Sequence, residues 1–283
     1  MKMKWMSLGL VTAFLMQSCS SVLFMPSREL GITPDKVNLS YNPTSLPTSD
    51  GLQLQGWYLP AAVPALGTVL FLHGNGENIS SHLATVYWLP AAGYNVYLFD
   101  YRGYGQSQGE PDLDGSMRDI EAMLDYVIAQ QPAQKIIVLG HSLGASMGIY
   151  AISQSPHKAD LAAMISIAAF SDYQAVTRDV LSRSWLSWLF QWPLSLAMDN
   201  RYSPKKYVAQ LAPLPVLIMH SAADEIIESY HGDVLFNAAS EPKYFQALQG
   251  DHNHMFNDKA NRQLLLQWLA RLSDADRPAP TRF

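Results

Sequence analysis

The chain has 283 residues, of which 48% are hydrophobic and 15% charged, and a formal net charge of −5. That composition supports a sizeable core and excludes intrinsic disorder; with no run of basic residues, it offers a nucleic acid no electrostatic footprint. The single cysteine, Cys19, excludes an internal disulfide and a thiolate metal cluster.

In chain order, Lys2 and Lys4 precede an apolar run, Met6 to Met16, and the small residues Ser18-Cys19-Ser20-Ser21 follow. A charged start, a short apolar core and small residues describe a secretory signal over residues 1–18. At about 1.5 Å per residue the apolar run falls well short of a bilayer core of about 30 Å, so a spanning helix is not expected. Leu15-Met16-Gln17-Ser18-Cys19 resembles the bacterial lipoprotein box, although Met16 and Gln17 depart from its usual leucine and small residue. The resemblance implies diacylation of Cys19 and residence in the cell envelope. More than one acyl chain is enough for stable membrane attachment. Ser20 after the cysteine is similar to the outer-membrane-sorted class. Residues 19–34 then read as a lipid-anchored tether.

Ser49-Asp50-Gly51 is a turn signal between a strand at Val37–Tyr41 and the alternating strand Gln53–Tyr58. Apolar runs and helical stretches then alternate. Strand Thr68–His73 precedes helix Ile79–Ala92, strand Asn95–Asp100 precedes Met117–Ala129, and strand Lys135–Gly140 precedes Leu143–Ser153. Ala163–Ala169 is the next strand; Val216–His220 with Tyr230–Ala239 and Tyr244–Leu248 with Asn261–Leu272 close the series. Strands this apolar between helices predict an α/β fold with a mostly parallel sheet covered on both faces. Residues 171–213 interrupt the rhythm with Trp185, Trp188, Phe190 and Trp192, and read as a small helical cap inserted in a domain spanning 35–275. Residues 276–283 read as a tail.

Gly140-His141-Ser142-Leu143-Gly144 follows the apolar run Ile136–Leu139 and opens a helix-forming stretch. A lone G-x-S-x-G occurs by chance in roughly a tenth of chains this long, but the strand–turn–helix setting is what a nucleophile elbow requires. Serine is a weak nucleophile until a base takes its proton and a carboxylate orients that base. In the order of this arrangement an acid and then a histidine should follow. Asp224, after strand Val216–His220 and a short loop, supplies the acid. Gly250-Asp251-His252-Asn253-His254 supplies two histidines, of which His252 is nearer the strand end. An oxyanion needs two positioned N–H donors; Leu143, just after the nucleophile, and Asn75 in the loop His73-Gly74-Asn75-Gly76 are the candidates. His82 and His157 read as surface residues, and no other histidine has a partner at metal-ligand spacing, so neither a metal nor a cofactor is expected.

Together His73-Gly74-Asn75, Asp100-Tyr101-Arg102-Gly103-Tyr104-Gly105-Gln106-Ser107, Gly140–Gly144, Asp224-Glu225-Ile226-Ile227 and Gly250-Asp251-His252-Asn253 resemble the motifs of the alpha/beta-hydrolase-domain family. The resemblance runs from about Gly51 to Leu272. It implies the α/β-hydrolase fold and serine hydrolysis, and it favours His252 over His254. Two departures stand out. Gly76-Glu77 replaces a small pair and puts a carboxylate near the entrance, and Glu228 stands where the family often has proline. The expected activity is cleavage of a small-molecule carboxylic ester or thioester with an apolar acyl part. A serine peptidase acting on short peptides and a non-catalytic envelope binding protein are the competing readings. The sequence leaves the oligomeric state open.

Overall fold

The computed structural model describes residues 23–272, so the signal segment, Cys19 and the 276–283 tail lie outside the described residues. Eight strands form one sheet: β1 (Asn42–Pro47), β2 (Gln53–Leu59), β3 (Gly67–Leu72), β4 (Tyr94–Phe99), β5 (Ile136–His141), β6 (Leu161–Ile167), β7 (Val216–Ser221) and β8 (Lys243–Leu248). Their spatial order is β1-β2-β4-β3-β5-β6-β7-β8. The first two pairings are antiparallel and the rest parallel. This is the α/β-hydrolase fold.

Strand β3 shows why both faces must be covered. Its side chains alternate, as a period of two demands: Leu70 and Leu72 enter one buried cluster, Val69 and Phe71 the other. Helices α2 (Leu113–Gln130) and α3 (Leu143–Gln154) close the first face, and α1 (Ile79–Val86) and α8 (Lys259–Arg271) the second. Helix α7 (Tyr230–Ala238) follows β7. Between β6 and β7 lie α4 (Tyr173–Ser182), α5 (Trp185–Trp188) and α6 (Gln191–Ala197).

Two boundaries differ most from the sequence reading. The first strand is Asn42–Pro47 and not Val37–Tyr41: Pro34 opens a 3-10 turn through Val37, and Asn38 ends it in the left-handed region at φ 57°. Pro43 and Pro47 fit β1 because an edge strand leaves N–H groups unpaired. Helix α1 stops at Val86, because Pro90 starts a separate turn, Pro90–Ala92.

Residues 23–31 lie across the loop after β3. Ser27 N–H donates to the Glu77 carbonyl at 2.8 Å, and Asn78 Nδ2 donates to the carbonyls of Ser27 and Glu29. The glycine-rich loop after β4 is held from inside by Arg102. Its guanidinium lies 2.7 Å from Asp119 Oδ1 and 2.9 Å from Asp50 Oδ2, and the Asp119 side chain is fully buried. Burial pushes the Asp119 carboxyl above its ordinary value even though Arg102 draws it back. Removing one partner of a buried pair strands the other charge. Arg102→Met should therefore cost about 3–5 kcal/mol in denaturant unfolding, and a loss below about 1 kcal/mol, the size typical of an exposed pair, would show that the pair is not the brace it resembles.

Candidate active site

The turn from β5 into α3 carries Ser142 in a conformation that non-glycine residues avoid, φ 53° and ψ −117°. Such strain costs of the order of 1–3 kcal/mol and persists only where the surroundings impose it. Here they do. A Cβ on Gly140 would meet Ala145 Cα at 2.4 Å, and one on Gly144 would meet the Leu72 and His73 carbonyl oxygens at 2.3 Å. The chain can therefore reverse in this space only without side chains at those two positions. Ser142 N–H donates to the Ile167 carbonyl at 2.8 Å, which ties the turn to β6.

Asp224 lies in the loop after β7 and His252 in the loop after β8, so both reach the edge of the sheet where β5 ends. His252 Nδ1 is 2.7 Å from Asp224 Oδ2. A carboxylate accepts only from an N–H, so Nδ1 carries the proton and Nε2 is left with its lone pair. Asp224 Oδ1 accepts from the Ile226 and Ile227 N–H groups at 2.9 and 2.8 Å. Burial pushes this carboxyl up, but the His252 and backbone hydrogen bonds outweigh it and hold it below its ordinary value. The His252 backbone carbonyl accepts from His141 Nε2 at 3.0 Å. His254 takes no part in this arrangement: it is exposed and pairs with Asp251 at 2.9 Å.

Ser142 and His252 line one cavity of about 520 Å³, together with Gly74, Asn75 and Leu143. Gly74 sits so close that an added Cβ would come within 3.4 Å of Ser142 Cβ. The Asn75 side chain is held through both its oxygen and its nitrogen. Its Oδ1 accepts from the Met25, Gly76 and Tyr104 donors, and its Nδ2 donates to the Leu23 carbonyl. These bonds hold the side chain in place, and the backbone N–H of Asn75 is the candidate donor to a ligand. Leu143 is the first residue of α3, where the helix supplies its N–H with no acceptor. Most of the remaining wall is apolar, with Phe170, Val176, Val180, Leu181, Met198 and Ile227, while Thr177, Arg183 and Asn253 add polar groups.

Sequence reasoning placed His82 on the surface, and the structure corrects this. Helix α1 turns it into the cavity wall, with Nε2 3.2 Å from the Gly76 carbonyl. The available signal was its spacing, three residues after Ile79 and beside Leu83, both of which are buried on the apolar face of α1. Away from the cavity, Glu121, Asp125 and His157 bring ligand atoms within 4.8 Å of one another, but His157 is already shared by Asp125 at 2.7 Å and Asp160 at 3.3 Å.

Residues 64–212 match the family described as serine aminopeptidase, S33. The chain is 31% identical over 244 residues to the uncharacterised protein YfhR of Salmonella typhi, covering 78% of this chain and 80% of that one. It is 30% identical over 224 residues to the alpha/beta hydrolase domain-containing protein WAV2 of Arabidopsis thaliana, covering 76% and 71%. Its fold is similar to that of the Pyrococcus furiosus esterase Pf2001, with a TM-score of 0.69 and 19% identity over 87% of this chain and 98% of that one.

The histidines around His252 make the site acid-sensitive. Burial pushes His141, His82 and His220 below their ordinary value. In the unfolded chain these imidazoles take up protons near pH 6.5, which the folded protein resists. Their contribution to stability is therefore complete above about pH 6.5 and is lost as pH falls below it. Asp100, pushed up to about 7 by burial, works in the opposite sense, losing stability as pH rises toward that value. The test compares melting temperatures of wild type and His141→Gln between about pH 7.5 and 5.5, with Asp100 common to both. The variant should lose less on acidification; parallel curves would remove His141 from the account.

Proposed function

The chain belongs to the alpha/beta-hydrolase family described as serine aminopeptidase, S33, and from that membership we propose that it is a serine hydrolase cleaving carboxylic esters or thioesters through an acyl-enzyme. The observation that carries the proposal is the strained Ser142 sharing one cavity with His252, whose ring Asp224 holds at 2.7 Å.

Ser142 Oγ attacks the carbonyl carbon while His252 Nε2 takes the hydroxyl proton. The negative charge that develops on the carbonyl oxygen is met by the backbone N–H groups of Leu143 and Asn75. Collapse expels the alcohol or thiol, which leaves with the proton from His252. Water then repeats the cycle: His252 takes its proton, the oxygen attacks the acyl carbon, and Ser142 recovers its hydrogen as the acid departs. Asp224 stays ionised throughout, since its hydrogen bonds hold its carboxyl low, and keeps the imidazole in the productive tautomer.

The apolar wall favours an acyl chain. The family description raises the rival reading, a peptidase that trims free amino termini. Such an enzyme needs a carboxylate to meet the substrate ammonium, and among the described residues the cavity lining includes none, whereas it does include Arg183. Arg183 also suits a polar or anionic leaving group better than a cationic one.

The anchor belongs to the same reading. Cys19 becomes a diacylated N-terminus and holds the enzyme in the cell envelope, with Ser20 directing it to the outer membrane. Incorporation of labelled palmitate that Cys19→Ala abolishes is the expected result; labelling that survives the substitution would remove the anchor.

A fluorophosphonate probe should label the wild type and not Ser142→Ala. Asp224→Asn should keep the fold and lower kcat on a short soluble ester by roughly 10⁴, because it stabilises the wrong tautomer. A wild type that resists the probe, or one labelled equally with Ser142→Ala, would leave a binding protein in place of an enzyme.

A further inference from the structure

The helices between β6 and β7 have two faces, and the mechanism uses only one. Val176, Val180 and Leu181 of α4, with Met198 just after α6, wall the cavity above Ser142. On the outside, Trp185 is 82% exposed, Trp192 61%, Phe190 56% and Trp188 54%, and Leu186 and Leu189 lie beside them exposed by more than half. An aromatic side chain offers about 150–250 Å², so at these exposures the four rings present about 400–600 Å², the upper range of a monomer's largest apolar patch before Leu186 and Leu189 are added. From Val180 to Met198 Arg183 is the single charged residue. Arg178 lies over the Trp192 ring at 5.0 Å.

We propose that α4–α6 dock this protein on a lipid bilayer, with Trp185, Trp188, Phe190 and Trp192 in the interface and the cavity mouth facing the membrane. Three observations select a bilayer over another occupant. Tryptophan and phenylalanine with flanking arginines are the composition of the membrane–water boundary, where the rings sit among headgroups and the cations meet phosphates. The exposed face is continuous with the cavity wall, because Val180 is half exposed and also lines the cavity, as does Arg183. An acyl chain leaving the bilayer therefore meets apolar surface all the way to Ser142.

The third observation is where the described chain begins. Leu23 and Met25 line the same cavity mouth, and Met25 is exposed. Four residues of chain, which span at most about 14 Å, connect Cys19 to Leu23. An acyl anchor on Cys19, as proposed above, would pull the membrane to this face and no other; the exposed rings and the shared wall do not depend on it.

The full chain carrying Trp5→Phe tests this, bound to phosphatidylethanolamine–phosphatidylglycerol vesicles with or without bromine on the acyl chains. Six tryptophans then remain of seven: three on this face, and Trp57, Trp88 and Trp268, which are buried. Bromine should quench the emission by about half, the share of the exposed three. Adding Trp185→Phe, Trp188→Phe and Trp192→Phe should abolish the quenching while the chain still floats with the vesicles. In a second arm, Trp185→Glu with Trp188→Glu should slow hydrolysis of an ester embedded in vesicles by about tenfold or more, since each buried ring is worth at least a decade of partitioning, and should leave a short soluble ester unchanged. Vesicle-bound protein without bromine quenching overturns the proposal. So does a dimer that Trp188→Glu splits, which would assign the face to a second copy of this chain. The quenching reads correctly even if Ser142 proves inert, so the bilayer and the hydrolase reading fail separately.

Discussion

No atom can be added at Gly144: the carbonyl oxygens of Leu72 and His73 already occupy the place where its side chain would be. That contact fixes how closely α3 follows β5 and brings it against the end of β3. It therefore fixes Ser142, which is squeezed into a left-handed turn between a strand and a helix. It also fixes the distance from Ser142 to the loop after β3, because the same two carbonyls belong to the last residue of β3 and the first residue of that loop. Ser142 and the loop after β3 are set by a single close approach of two backbones.

The electrostatics around this turn follow from dryness. Three imidazoles, His82, His141 and His220, surround His252, and burial keeps each of them neutral. A neutral imidazole can donate one hydrogen bond and repels nothing, so His141 and His220 serve as positioning groups. His141 holds the backbone carbonyl of His252, and His220 Nε2 holds the Ile227 carbonyl at 2.9 Å, next to the N–H groups that cradle Asp224. The one group held ionised among these residues, Asp224, stays so because its hydrogen bonds outweigh its desolvation.

The N-terminal residues from Leu23 onward belong to the site and are more than a connection to it. Met25 N–H, Gly76 N–H and Tyr104 hydroxyl converge on Asn75 Oδ1, and the Leu23 carbonyl takes its Nδ2. Four hydrogen bonds on one amide hold the loop that lines the cavity beside Ser142. The same contacts place Leu23 and Met25, at the start of the described chain, in the cavity lining.

Much of this was legible in the residues. The apolar runs of β3 to β8 and the helices between them are periodic enough to predict a mostly parallel sheet. Gly140–Gly144 is legible because the need for glycine at a tight reversal is local, and Asp224 and His252 because strand ends in such a sheet share one edge. Boundaries set by packing were not: β1 shifted past Tyr41, and α1 ended at Val86, since edge pairing and a separate proline turn involve partners distant in the chain. His82 escaped for the same reason. Its neighbours in sequence describe one helix face, but whether a residue beside that face meets solvent or a cavity depends on what packs opposite. The chain by itself determined which residue types stand at the strand ends. Only the tertiary structure decided which of them touch, what holds the Asn75 side chain, and that the aromatic residues near 190 face outward. Those outcomes depend on hydrogen bonds and burial between segments that are 50 to more than 100 residues apart.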